Sequence, residues 1–188
     1  SDVCSSDLRH ISRFVLHVDG APLDPLGATV LSPERERFSG VAVTRADLPD
    51  APLEVTRTRA VSAGRVSEVI HLDWWAPEPH EVFVSLQVDA DFADIFEIRE
   101  IGFTPTTTVT RYPVRTTWDG RELRFQEVGL ELDTHVRFDP PPDSRSADAM
   151  IWHATVARGR PWELRVARSE EHTSELQSLA YLVCRLLL

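Results

Sequence analysis

YPVRTTWDGRELRFQEV, residues 112–128, is the stretch whose reading decides the fold. Tyr112, Val114, Thr116 and Trp118 alternate with Pro113, Arg115 and Thr117. Past Asp119-Gly120, Leu123 and Phe125 then alternate with Glu122, Arg124 and Gln126. Successive side chains of a strand point to opposite faces, so an apolar–polar period of two buries one face and wets the other. Asp-Gly between two such runs is a hairpin signal, because both residues tolerate positive φ. The stretch therefore predicts two antiparallel strands with one apolar face each.

The same pattern recurs along the chain. In RFVLHVDGAPLDPL, residues 13–26, Phe14, Leu16 and Val18 share a face and Asp19-Gly20 supplies a tight turn. LEVTRTRAV (53–61) and RVSEVIHL (65–72) read as strands joined by Ser62-Ala63-Gly64. Leu130, Leu132, Thr134, Val136 and Phe138 face one way, and Glu131, Asp133, His135 and Arg137 the other, until DPPPDS (139–144) stops the element. IWHATVA (151–157) and RPWELRVA (160–167) are two more strands. Closely spaced turns with no convincing three-turn amphipathic helix predict an all-β antiparallel sandwich, a single domain without internal repeats.

The two ends read differently. One codon choice for Arg168–Glu175 is AGA TCG GAA GAG CAC ACG TCT GAA; its reverse complement, read one base over, encodes SDVCSSDL, which is residues 1–8. The sequence resembles a common short-read sequencing adapter, and LVCRLLL (182–188) can be read from its continuation CTC GTA TGC CGT CTT CTG CTT. Residues 1–8 and 168–188 are therefore expected to be adapter-like artefact, and residues 9–167 the natural part. The rival reading, a C-terminal amphipathic helix or membrane anchor in SLAYLVCRLLL, has too short an apolar run to span a bilayer.

Composition narrows the function classes. Both cysteines, Cys4 and Cys184, lie in the end segments, so residues 9–167 offer no thiol for a disulfide, a zinc site or a nucleophile. The whole chain carries a formal net charge of −10; setting aside the two arginines and five carboxylates of the ends leaves 18 basic against 25 acidic side chains, a net of −7. Nucleic-acid binding needs clustered positive charge, so that partner is not expected, and the short C-terminal apolar run leaves no membrane partner expected either. All the basic side chains of formal charge are arginine, which fits a GC-rich coding sequence better than a function.

The most unusual core segment is VFVSLQVDADFADIFEIREIGF, residues 82–103, where a strand face (Val82, Val84, Leu86, Val88) runs into a carboxylate-rich turn. Asp89, Asp91, Asp94 and Glu97 invite two functional readings, calcium ligation or an acid–base pair. Phe92 stands near where a calcium loop of the EF-hand kind wants Gly, and Asp also caps turns through its side chain. A structural turn is the preferred reading. No phosphate loop, G-x-S-x-G or H-E-x-x-H occurs, and His10, His17, His71, His80, His135 and His153 show no ligand spacing. No cofactor and no metal is expected. Trp74-Trp75 ends a strand, so one indole should enter the core and the other face solvent or a partner, where it could stack on a sugar ring.

DADFADIFEIR, residues 89–99, resembles the N-terminal domain of bacterial glycogen-debranching (amylo-α-1,6-glucosidase-like) proteins, which carry a similar ADFADIFEVRG stretch. RHISRFVLHVDGAPLDPLGA (9–28), and LEVTRTRAV followed by EVIHL, resemble further parts of that domain. Asp91, Phe92, Asp94, Phe96, Glu97 and Arg99 match the family motif, and a structural role is expected for them. The chain departs from the pattern after Arg99, where the family has Gly soon after the arginine and here Glu100 and Ile101 intervene before Gly102. The resemblance implies a large, supersandwich-like β-sandwich that packs against a separate (α/α)-barrel catalytic domain acting on α-1,6 branch points. It implies that domain and α-glucan as partners, a cytoplasmic location, and no catalytic residue or hydrolase activity in this chain itself. The alternative is a stand-alone carbohydrate-binding or scaffold module, with Trp74 and Trp75 as the carbohydrate contacts.

Overall fold

The computed structural model describes residues 8–42, 53–62, 64–94, 113–129 and 132–172. All regular elements among them are strands, and every pairing between them is antiparallel. The short β1 (Leu8–Arg9) pairs with β9 (Ala93–Asp94). A five-stranded sheet runs β13 (Ser144–Arg145), β14 (Ala149–Val156), β8 (His80–Asp89), β2 (Arg13–Val18), β3 (Ala21–Pro22). The eight-stranded sheet runs β10 (Val114–Trp118), β11 (Glu122–Glu127), β12 (Leu132–Asp139), β15 (Trp162–His172), β7 (Arg65–Trp74), β6 (Leu53–Ser62), β5 (Arg35–Ala42), β4 (Asp24–Ser32).

The period-two pattern places the core between these sheets. Leu16, Val18, Val82, Val84, Leu86 and Trp152 come from the small sheet; Leu53, Val55, Ile70, Leu72, Phe125 and Leu164 come from the large one. All are at most 3% exposed. Burial of this apolar surface is the main stabilising term, at about 25 cal/mol per Å². Trp118, Phe138, Trp152 and Trp162 form a chain of tilted and edge-to-face contacts, with centroids 6.1, 5.7 and 6.4 Å apart in turn. Such arrangements set the positive edge of one ring against the negative face of the next.

The two Asp-Gly turns work by different means. Asp19 (φ 51°) and Gly20 (φ 78°) both adopt the left-handed region, which matches the twist of the strands they join. At the second turn only Gly120 does so (φ 100°). There the Asp119 carboxylate accepts from the Arg121 and Glu122 amides at 2.9 and 2.7 Å, an Asx turn.

Three features lie outside the sequence pattern. The β4–β5 hairpin borders the large sheet, with all nine residues of β4 exposed. Asp133 shares the outward parity of its neighbours yet is buried, because Arg124 of β11 lies against it in an ion pair. Strand β15 continues past Ala167 to His172. A ladder is made by backbone N–H and C=O groups, so this pairing is indifferent to the origin of the side chains.

Candidate functional site

The DADFAD turn grips the start of the domain. Asp89 receives the amide of Ala90 on Oδ1 and gives its own carbonyl to the Ser12 amide, each at 2.9 Å. Arg9 Nε donates to Asp91 Oδ1 at 3.1 Å, and Arg9 Nη2 meets Asp91 Oδ2. Phe92 sits in the left-handed region (φ 47°), 5% exposed, with its ring edge-on to His10 at 5.5 Å. His10 in turn shares a 2.9 Å hydrogen bond with the buried Thr134 hydroxyl. Asp94 contributes its backbone to the pairing with Leu8. Phe96, Glu97 and Arg99 lie outside the described residues. Among the described residues no cluster of His, Cys, Asp or Glu could hold a metal ion.

Of the two adjacent indoles, Trp74 is the one that enters the core. It is 2% exposed, donates from Nε1 to the Glu78 carbonyl at 2.7 Å, and stacks on His80 at 4.8 Å. Trp75 is 57% exposed, which leaves it as the one able to meet a sugar or a partner.

Sequence reading passed over two further clusters. Inside the sandwich, Glu68 is clamped by Arg57 Nε at 2.5 Å and Arg59 Nε at 2.8 Å. The two guanidiniums lie over the Phe14 and Phe38 rings respectively. The signal was present: Arg57 and Arg59 continue the inward parity of Leu53 and Val55, and the register pairs Arg59 with Glu68.

On the outer face of the large sheet, imidazole, carboxylate and guanidinium groups associate twice. His71 Nε2 meets Glu163 Oε2 at 2.6 Å while Arg165 Nε donates to Oε1 at 2.5 Å. His135 Nδ1 meets Glu122 Oε1 at 2.6 Å, and Arg137 Nε donates to Oε2. The His71 and Arg165 hydrogen bonds hold the Glu163 carboxyl below its ordinary range. Burial pushes Glu122 up, but its bonds to His135 and Arg137 together outweigh that and leave it lowered. Glu163 holds Arg165 firmly charged, and the Arg121 and Glu122 amides lower Asp119. Such partners favour the ionised form. A trough of about 740 Å³ runs beside these groups, lined in part by Ser67, Val69, Arg137, Asp139, Arg165 and Ala167.

The sandwich has a counterpart of similar fold within a longer solved chain. It shares its fold with a candidate kojibiose phosphorylase from the human microbiome (TM-score 0.58, 9% identity), covering 94% of this chain and 24% of that one. A Synechocystis sp. PCC 6803 protein (TM-score 0.48, 9% identity, 82% and 67% covered) is similar over a smaller share of the chain. So is a GalM/aldose epimerase homologue from C. elegans (0.46, 10%, 82% and 70%). No curated protein sequence matches. The chain belongs to the family described as the N-terminal domain of (some) glycogen debranching enzymes, which matches it over residues 4–167.

Proposed function

We propose that this chain is the non-catalytic front module of a glycogen-debranching, amylo-α-1,6-glucosidase-like glycoside hydrolase. It supports a catalytic domain carried elsewhere in the same polypeptide, and α-glucan is the substrate of the whole. The family match over residues 4–167 carries this reading. Two observations support it. The sandwich spans only 24% of the phosphorylase it resembles in fold. The described carboxylates of the DADFAD turn hold backbone and Arg9 in place, whereas glycoside cleavage needs two carboxyl groups facing each other across a sugar.

The test begins by sequencing outward from the coding region of residues 9–167. The longer product and the present chain are then assayed side by side for glucose release from an α-1,6-branched limit dextrin. Activity is expected in the longer protein alone. Turnover by the present chain would refute the non-catalytic assignment. A natural stop soon after Ala167 would remove the partner domain and favour a stand-alone carbohydrate-binding module, for which the exposed Trp75 is the supporting observation.

A further inference from the structure

The trough on the outer face of the large sheet has the build of a binding site. Its floor is small: Ser67 and Val69 on β7 and Ala167 on β15, with Ala167 directly opposite Ser67. Arginine and carboxylate side chains from β11, β12, β15 and the Asp119 turn stand around it. Three guanidiniums (Arg121, Arg137, Arg165) face three carboxylates (Asp119, Glu122, Asp139), while the fourth carboxylate of the lining, Glu68, is neutralised on the inward side by Arg57 and Arg59. A cleft lined by one sign of charge concentrates ions of the other sign. A balanced lining instead presents alternating donors and acceptors with little net field, which suits a neutral ligand rich in hydroxyls. Planar guanidinium and carboxylate groups can each engage two neighbouring hydroxyls at once.

Glu122, Arg137 and Arg165 are also held before any ligand arrives. Glu122 is fixed between His135 and Arg137, and Arg165 is fixed by Glu163, itself held by His71. Arg165 spends Nε on that bond, so its two terminal amino groups remain as donors. Fixing rotamers in advance lowers the ordering cost of binding. Val69 and Ala167 offer a small apolar surface to the C–H face of a ring.

We infer that this trough binds a segment of a neutral oligosaccharide, an α-glucan chain; the identity of the sugar rests on the debranching reading above. The full 188-residue chain should be retarded in native gels containing glycogen and should bind maltoheptaose by calorimetry. Arg165→Ala, which removes an exposed donor, and Val69→Trp, which fills the floor, should each weaken binding at least about tenfold without lowering Tm. Trp75→Ala should leave binding unchanged. If Val69→Trp disturbs folding, Arg165→Ala decides, because its side chain is 65% exposed. Absence of any glucan binding, equal binding by the variants, or loss on Trp75→Ala alone would each overturn the site. None of these outcomes bears on the activity of the longer protein, which tests the debranching reading separately.

Discussion

Arg9 and Asp91, 82 positions apart, meet through two prongs, Nε to Oδ1 at 3.1 Å and Nη2 to Oδ2. The pair joins RHISRF and DADFAD, two stretches within the part of the chain that the debranching family matches. His10 against Phe92 and the pairing of Leu8 with Asp94 continue the same seam. The motif is thus half of a clasp that fixes the N-terminal segment to the end of β8.

This clasp should be measurable by a double-mutant cycle. With side-chain exposures of 33% and 19%, the pair is half-buried and partly screened. Arg9→Ala and Asp91→Ala should therefore couple by roughly 1–2 kcal/mol in urea unfolding. Additive effects would reduce the contact to a surface ion pair.

Phe92 should show an inverted order of substitutions. Deleting its ring should cost roughly 3–5 kcal/mol through the cavity left behind. Because the backbone there is left-handed (φ 47°), Phe92→Gly should be more stable than Phe92→Ala by about 1 kcal/mol. Inside a strand, by contrast, glycine would be the worse choice. Thermal melts of the two variants check the sign.

Glu68 holds two cations inside the sandwich while itself 2% exposed. Glu68→Gln should destabilise by roughly 3–5 kcal/mol, since it leaves the guanidiniums without a counter-charge in a poorly solvated place. Arg57→Ala should cost less, and Arg59→Ala least, in line with their exposures of 18% and 38%. Denaturant midpoints of the three variants give the ranking.

Glu122 should contribute to acid sensitivity. Its carboxyl lies below the ordinary value of 4.5 in the folded chain. A lowered carboxylate adds stability above its unfolded value, and that contribution is lost as pH falls through the folded value. Glu122→Gln should therefore be less stable than the parent at about pH 7, with the gap narrowing as pH falls below the ordinary value of 4.5. Glu163→Gln should follow the same sign with a smaller amplitude, its side chain being 36% exposed and screened. Urea titrations across that range measure both, and a constant gap for Glu122→Gln would contradict the assignment.

The sandwich was legible wherever alternation and turn chemistry pointed the same way, as in residues 114–127, 53–62 and 65–72. The β4–β5 hairpin was not, because a wholly exposed border strand has no buried face to impose a period of two on DPLGATVLS. The clamp of Glu68 was half-legible: alternation put Arg57 and Arg59 on the inward side, but only the register shows which carboxylate meets them. The outer-face trough required four strands, β11, β12, β15 and β7, to be laid side by side in an order the chain does not follow. Spacing among the histidines could not reveal that His71 and His135 each find a carboxylate on a neighbouring strand.

Strand β4 ends the order of the large sheet with Leu26 and Val30 exposed, a border at which another chain could add itself. Two interruptions guard it: the register against β5 shifts between Pro25 and Gly27 and again between Val30 and Ser32. Each shift bends and twists the strand, and Pro25 brings no amide hydrogen to a new ladder. Among the described residues the order of eight strands therefore ends on an irregular border, and the same irregularities that hid this hairpin from sequence reading make it a poor template for a ninth strand from a neighbour.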